Sequence, residues 1–128
     1  MAFLSRDEVE KLGFKSLGKN VLLSDKASIY NSSNISIGSN VRIDDFVVLS
    51  AGAGGIQIGS HIHIAVFTSL IGVGKITLED FCNLSSRVSI YSSNDDYSGG
   101  SLTNPMVPDQ LKNVVVGDVL LKKHVIVG

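Results

Sequence analysis

The sequence predicts an all-β fold in which short strands wind into stacked triangular coils, and two observations carry that prediction. Leu, Ile and Val make up 40 of the 128 residues, whereas Ala numbers 5, Glu 3 and Gln 2. That balance favours extended chain over helix. The second observation is a six-residue period of aliphatic side chains. Leu17, Leu23 and Ile29 open it, and Ile37, Ile43 and Leu49 continue it. Ile58, Ile64 and Leu70 follow, then Leu78, Leu84 and Ile90; after a gap Leu121 and Val127 resume it. A fixed short period is the mark of a repeat architecture.

The elements follow in order. Residues 1–16 read as a capping segment: Ser5-Arg6-Asp7-Glu8 has the form of a capping box, Val9 and Leu12 give a short apolar face, and Gly13 ends it. A short helix over 6–12 is therefore expected to close the first coil. From 17 to 128 three hexads make one coil. Coils begin at 17, 37, 58 and 78, separated by 20, 21 and 20 residues where 18 would suffice. The extra residues fall at one corner, where Ile35, Ile56, Ile76 and Val119 recur two places before the next anchor. One strand per hexad cannot bury its aliphatic face alone, so the coils must stack. Each Leu or Ile buried this way contributes about 1.5–3 kcal/mol.

Other hexad positions carry their own restrictions. The fifth is small or β-branched (Val21, Val41, Val47, Ile62, Thr68, Cys82, Val88), which suits a tight corner. Asn20, Asn40, His61 and His124 hold the fourth, and these residue types tolerate left-handed backbone. Gly18, Gly38 and Gly59 follow the first anchor of successive coils, where close backbone packing is expected. Between Ile90 and Leu121 the period lapses, and an inserted loop over about 92–113 is expected. It holds Pro105, Pro108, Gly99-Gly100 and the run Asn94-Asp95-Asp96-Tyr97. Loops of such length are usually functional or disordered.

Composition excludes several classes. An apolar content of 44% with a net charge of −1 rules out intrinsic disorder. A pI near 6.2 without any basic stretch argues against a nucleic-acid binder that works by bulk charge. Cys82 is the only cysteine, so no intramolecular disulfide framework exists. The N-terminus lacks a basic and apolar leader, and Phe46 to Phe67 is broken by glycines and histidines. A cytoplasmic protein without a membrane span is expected. No metal site is expected either, because His61 and His63 project from different hexad slots without a partner cluster.

The repeats Ile37-Gly38-Ser39-Asn40-Val41-Arg42 and Ile58-Gly59-Ser60-His61-Ile62-His63 resemble the hexapeptide repeat of the left-handed parallel β-helix acyltransferases. The run from Ile90 to Gly128, with YSSNDDYSG from Tyr91, LTNP from Leu102 and KHVIVG from Lys123, looks like the galactoside-type sugar O-acetyltransferases. It is also similar to the sugar-nucleotide N-acetyltransferases of surface-polysaccharide pathways. The resemblance covers about residues 14–128. It implies a homotrimer with active sites in the clefts between β-helices. Acetyl-CoA is then the co-substrate, and the acceptor a hydroxyl or amine of a sugar or sugar nucleotide. In that family a loop histidine often follows this coil; an ungapped match puts Asp95 at its place, and the sequence departs from the pattern there.

Such a reaction needs a group that takes the acceptor's proton, and histidine is the usual choice. His63 occupies the sixth hexad position, held elsewhere by Leu22, Arg42, Asn83 and Ile126, and points away from the core. It is either the base or a solvated surface histidine. Asp95 and Asp96 either orient His63 or bind acceptor hydroxyls, Asn94 and Tyr97 likewise, or the run is an Asx-rich turn. A carboxylate with a pKa near 4 is a poor base for a sugar hydroxyl, which favours a supporting role for Asp95. Asn83, one coil above His63 in the same slot, is an acceptor-binding candidate. His61 and His124 read as structural turn residues, Arg87 and Lys75 as outward cations, and Cys82 as core rather than nucleophile. The sequence singles out no residue for coenzyme A.

The chain stops one hexad and two residues into its fifth coil, whereas the β-helix of the resembling family continues. Either this is a shortened form of a longer enzyme or something else covers the open end, and two readings follow. One is a sugar acetyltransferase with His63 as base and backbone amides stabilising the oxyanion. The other is a truncated, non-catalytic trimeric β-helix that keeps the fold but not the coenzyme site. A surface-binding solenoid of the ice-binding type is set aside, since Thr occurs only at 68, 77 and 103.

Overall fold

The aliphatic anchors fall on strands of two to four residues, and a computed structural model, which describes all 128 residues, winds them into three parallel sheets. The first face stacks Ser16–Leu17, Ile35–Ile37, Ile56–Ile58, Ile76–Leu78 and Val119–Leu121. The second stacks Val21–Leu23, Val41–Ile43, Ile62–Ile64, Asn83–Leu84 and Ile126–Val127. The third stacks Ser28–Tyr30, Val48–Ala51, Ser69–Gly72 and Ser89–Tyr91. The result is a left-handed parallel β-helix with very little helix.

Register follows the sequence period. Ile37 lies beside Ile58, Ile43 beside Ile64 and Leu49 beside Leu70, and all six are at most 2% exposed. The inserted residues at the third corner keep step too, with Ile35, Ile56, Ile76 and Val119 paired in turn. Residues of the fifth position line the interior at the first two corners: Val41, Val47, Thr68 and Cys82 are at most 1% exposed. The turn itself belongs to the fourth position. Asn20, Asn40, His61, Phe81 and His124 all have φ between 54° and 67°, as do Phe46, Phe67 and Arg87 at the second corner.

Left-handed backbone costs a bulky residue about 1–2 kcal/mol, and stacking offsets it. Asn20 Nδ2 donates to Asn40 Oδ1 (2.9 Å). His61, Phe81 and His124 stack with centroids 4.9 Å apart and planes 4° off parallel. Phe46 stacks on Phe67 at 5.1 Å, and Arg87 caps the Phe67 ring at 4.7 Å. His61 and His124 therefore have the structural role expected of them. Arg87 is a corner residue engaged with an aromatic ring, not a free outward cation.

A helix, α1 (Arg6–Lys11), closes the first coil. Its capping box is complete, with Ser5 Oγ accepting from the Glu8 amide and Glu8 accepting from the Ser5 amide. Val9, 1% exposed, plugs the core. The long insertion leaves the third face after Tyr91 and rejoins the first face at Val119. It is an ordered arm: Ser93–Asn94 pairs antiparallel with Val115–Val116, and Leu102 bridges Lys112.

Successive coils approach each other closely at the glycine stack. A Cβ on Gly38 would lie 2.6 Å from the carbonyl atoms of Gly59, which cannot move without breaking the ladder. Gly38→Ala is expected to cost about 1–3 kcal/mol and lower the melting temperature. Gly117→Ala, where nothing lies within 4 Å, serves as the comparison and should leave it unchanged. Equal melting of the two variants would refute the packing argument.

Candidate active site

Strand alternation sends Ile62 and Ile64 into the core and His63 outward. On this second face Leu22, Arg42, His63, Asn83 and Ile126 form one register column. His63 and Asn83 are thus neighbours, as the shared slot implied. The partner of His63, however, is Asp44. His63 Nε2 lies 2.7 Å from Asp44 Oδ2, and Arg42 Nε donates to Asp44 Oδ1 at 2.7 Å. Asp44 is only 4% exposed.

Burial pushes the Asp44 carboxyl up, but the hydrogen bonds from His63 and Arg42, and their charges, outweigh it and hold the group below its ordinary value. A neutral His63 must carry its proton on Nε2 to donate to this carboxylate, which leaves Nδ1 as an acceptor without a protein partner. The column opens on a concavity of about 300 Å³ lined by Asn20, Leu22, Asn40, Val41, Arg42, His61, Ile62 and His63. A larger one of about 500 Å³ runs along the first face past Ser36, Gln57, Thr77, Asp80 and Lys123, and holds none of the candidate site residues.

Asn94, Asp95, Asp96 and Tyr97 lie together at the root of the arm. Asp95 Oδ2 accepts from the Asn104 amide (3.2 Å), leaving Oδ1 without a protein partner. Asp96 accepts from the Ser98 amide (2.9 Å) and from Asn113 Nδ2 (3.2 Å); the bonds from Ser98, then that from Asn113, hold its carboxyl below the usual range. Asn94 is an exposed strand residue paired with Val115, and Tyr97 is 72% exposed. A concavity of about 330 Å³ beside them is lined by Tyr91, Ser92, Ser93, Asn94, Val115 and Gly117.

These two groups do not meet within one chain. The arm springs from the corner between the third and first faces, and the second face, with His63, lies across the triangular coil from it. Within one chain, then, the carboxylate that orients His63 is Asp44, and neither Asp95 nor Asp96 touches it. Asp96 forms the expected Asx turn with Ser98, and Asn104 forms another with Met106. Sequence reasoning missed Asp44 and Arg42, although a signal existed. Asp44 follows its anchor where the equivalent coils have Ser24, Ala65 and Ser85, so a charged residue fills a slot of small ones. Cys82 is core, its Sγ bonded to the Lys122 carbonyl (3.1 Å) and its pKa raised by burial. No group of three or more His, Cys, Asp and Glu side chains is arranged to hold a metal ion. No helix is long and apolar enough to cross a membrane.

No protein-family model matches the chain. It is 58% identical over all 128 residues to a dTDP-4-amino-4,6-dideoxy-D-glucose acyltransferase of Escherichia coli, covering 67% of that protein. Among solved structures it matches AntD, an N-acyltransferase from Bacillus cereus. One match is a serine variant with dTDP and coenzyme A: TM-score 0.93, 54% identity, 98% of this chain and 66% of that one. Another holds dTDP and 3-hydroxybutyryl-CoA, with TM-score 0.90, 55% identity, and 97% and 65% coverage. An aspartate variant with dTDP and coenzyme A also matches, with TM-score 0.90, 56% identity, and 97% and 66% coverage. The chain spans about two thirds of the length of these relatives.

The Asp44 pairing has a pH signature. A carboxyl whose folded pKa is lowered adds stability that is present above its unfolded pKa, about 3.9, and is lost as pH falls through the folded value. Asp44→Asn presents an amide to two donors and is expected to cost about 1–3 kcal/mol at pH 7. Melting curves taken from pH 7 to 3 should show the wild type losing its advantage below about pH 4. Parallel curves for the two proteins would overturn the pairing.

Proposed function

Because this chain belongs to the sugar-nucleotide acyltransferases of the left-handed β-helix type, we propose that it transfers an acyl group from coenzyme A to the amine of a dTDP-linked amino sugar. The observation that carries this reading is 58% identity along the whole chain to a dTDP-amino-sugar acyltransferase. It is supported by the match to an N-acyltransferase holding dTDP-4-amino-4,6-dideoxyglucose and coenzyme A. Acetyl-CoA is the donor that the resemblance implies. Such chemistry belongs in the cytoplasm, on a route to surface polysaccharide.

An amine acceptor changes which residue is suited to the chemistry. Its nitrogen attacks the thioester carbonyl carbon with its lone pair, forming the C–N bond and a tetrahedral oxyanion. Once bonded, that nitrogen is cationic and far more acidic than a sugar hydroxyl, so a carboxylate suffices to take its proton. We assign that proton to the unpartnered oxygen of Asp95. Collapse of the intermediate breaks the C–S bond, and the proton passes from Asp95 to the departing thiolate. The products are an amide and free coenzyme A.

Asn94, Asp96 and Tyr97 then line the acceptor's approach, with Asn83 and His63 facing it from a second copy. Two features support a homotrimer with the site between copies. The arm and the His63 column lie on opposite sides of one coil, so both can contribute to one site only across an interface. The arm also exposes Tyr97, Leu102, Met106, Leu111 and Val114 to Val116, a run of apolar side chains that a neighbour would cover.

The assignment is tested by steady-state kinetics on two variants. Asp95→Asn is expected to lower kcat by about 10²–10⁴-fold with little change in KM. His63→Gln, which keeps a donor for Asp44, should raise KM for the nucleotide and preserve kcat. A kcat lost with His63 and kept without Asp95 would make His63 the base instead.

A further inference from the structure

The geometry points to a phosphate cradle on the second face: Arg42, with Asn40 and with His63 as its imidazolium, whose Nδ1 is then a donor, holds a phosphate or diphosphate ester in the concavity above Asp44. This rests on the acyltransferase reading, since both the nucleotide sugar and coenzyme A carry such a group.

The argument starts from what Arg42 leaves unused. Its Nε is committed to Asp44 at 2.7 Å, and its guanidinium lies over the Phe3 ring at 5.7 Å. The stem and plane are thus fixed from two sides. Its terminal nitrogens make no hydrogen bond within the chain, and the side chain is half exposed. A planar fork held in place with its N–H groups pointing to open space is the arrangement that binds phosphate oxygens in pairs.

The rest of the wall agrees. Asn20, Leu22, Asn40, Arg42, His61 and His63 line the concavity, and no carboxylate is among them. Asn40 Oδ1 is taken by Asn20, so its Nδ2 remains as a donor. Asp44 sits beneath with both oxygens already occupied, which lets it anchor Arg42 and His63 without facing the ligand. The bland alternative is that Arg42 and His63 exist only to satisfy the buried Asp44 carboxylate. That role needs one N–H from each and does not need the concavity to be free of acids.

Calorimetric titration of the full chain with dTDP, and separately with coenzyme A, tests the inference and identifies the source of the phosphate. Arg42→Gln is expected to weaken one of the two ligands by about 10- to 100-fold and to leave the other unchanged. The ligand that moves is the one seated on this face; dTDP is expected, in keeping with the KM effect assigned to His63, and movement of coenzyme A instead would overturn that KM assignment. His63→Gln should weaken the same ligand by a smaller factor, and its retained donor to Asp44 keeps the fold intact if Arg42→Gln proves unstable. If the ligand that moves is dTDP, the loss should shrink for dTMP, which has one phosphate fewer. A uniform loss for both ligands would mark a purely structural Arg42 and overturn the cradle. Wild-type binding with unchanged affinity in both variants would overturn it while leaving the acyltransferase reading in place. Failure of the wild type to bind either ligand would overturn both.

Discussion

Every residue in a stacked coil stands about 4.8 Å from its equivalent in the next, and the rest of the molecule is arranged around that spacing. Parallel pairing in register puts like positions on like, so each slot must hold side chains that tolerate a close copy of themselves. Aliphatic anchors do so by filling the core. Asn20 and Asn40 do so by donating one amide to the next, and the ring columns by stacking face to face. The serine column behind Gly38 works the same way: Ser39 and Ser60 each accept the preceding coil's amide, and Asp80 ends the series.

The same spacing constrains charge. Arg42 and His63 are register partners on the second face, an unfavourable pairing if His63 is protonated. Asp44 resolves it from the side, one oxygen to each. A single buried carboxylate therefore makes a basic column compatible with coil stacking. It also fixes the direction in which the remaining N–H groups of that column point. Fold and site are linked at this residue, because the acid that permits the column also orients it.

Much of the architecture was legible from spacing alone. Anchors, coil starts and the matched insertions at the third corner fall where the hexads put them, and the Asn and His of the fourth slot adopt the left-handed backbone expected of those types. What was not legible is whatever runs diagonally. Asp44 meets His63 across 19 residues, two short of the coil repeat there, so no slot-by-slot alignment brings them together. Phe46, Phe67 and Phe81 in left-handed backbone were equally hidden, since propensity argues against a bulky ring there and only the neighbour in the next coil supports it. The arm resisted for another reason: its contacts, such as Asp95 with Asn104, belong to no repeat.

The third corner already bulges in every coil, through Ser32–Asn34 in one and Gly52–Gly55 in the next, before the long arm leaves from the same place. After the detour Val119 settles beside Ile76 as though nothing had intervened. A corner with that tolerance separates two kinds of inheritance. The stacked faces admit change only in concert, because each side chain answers to its copies above and below. The arm answers to neither, so its length and chemistry can change while the scaffold stays as it was.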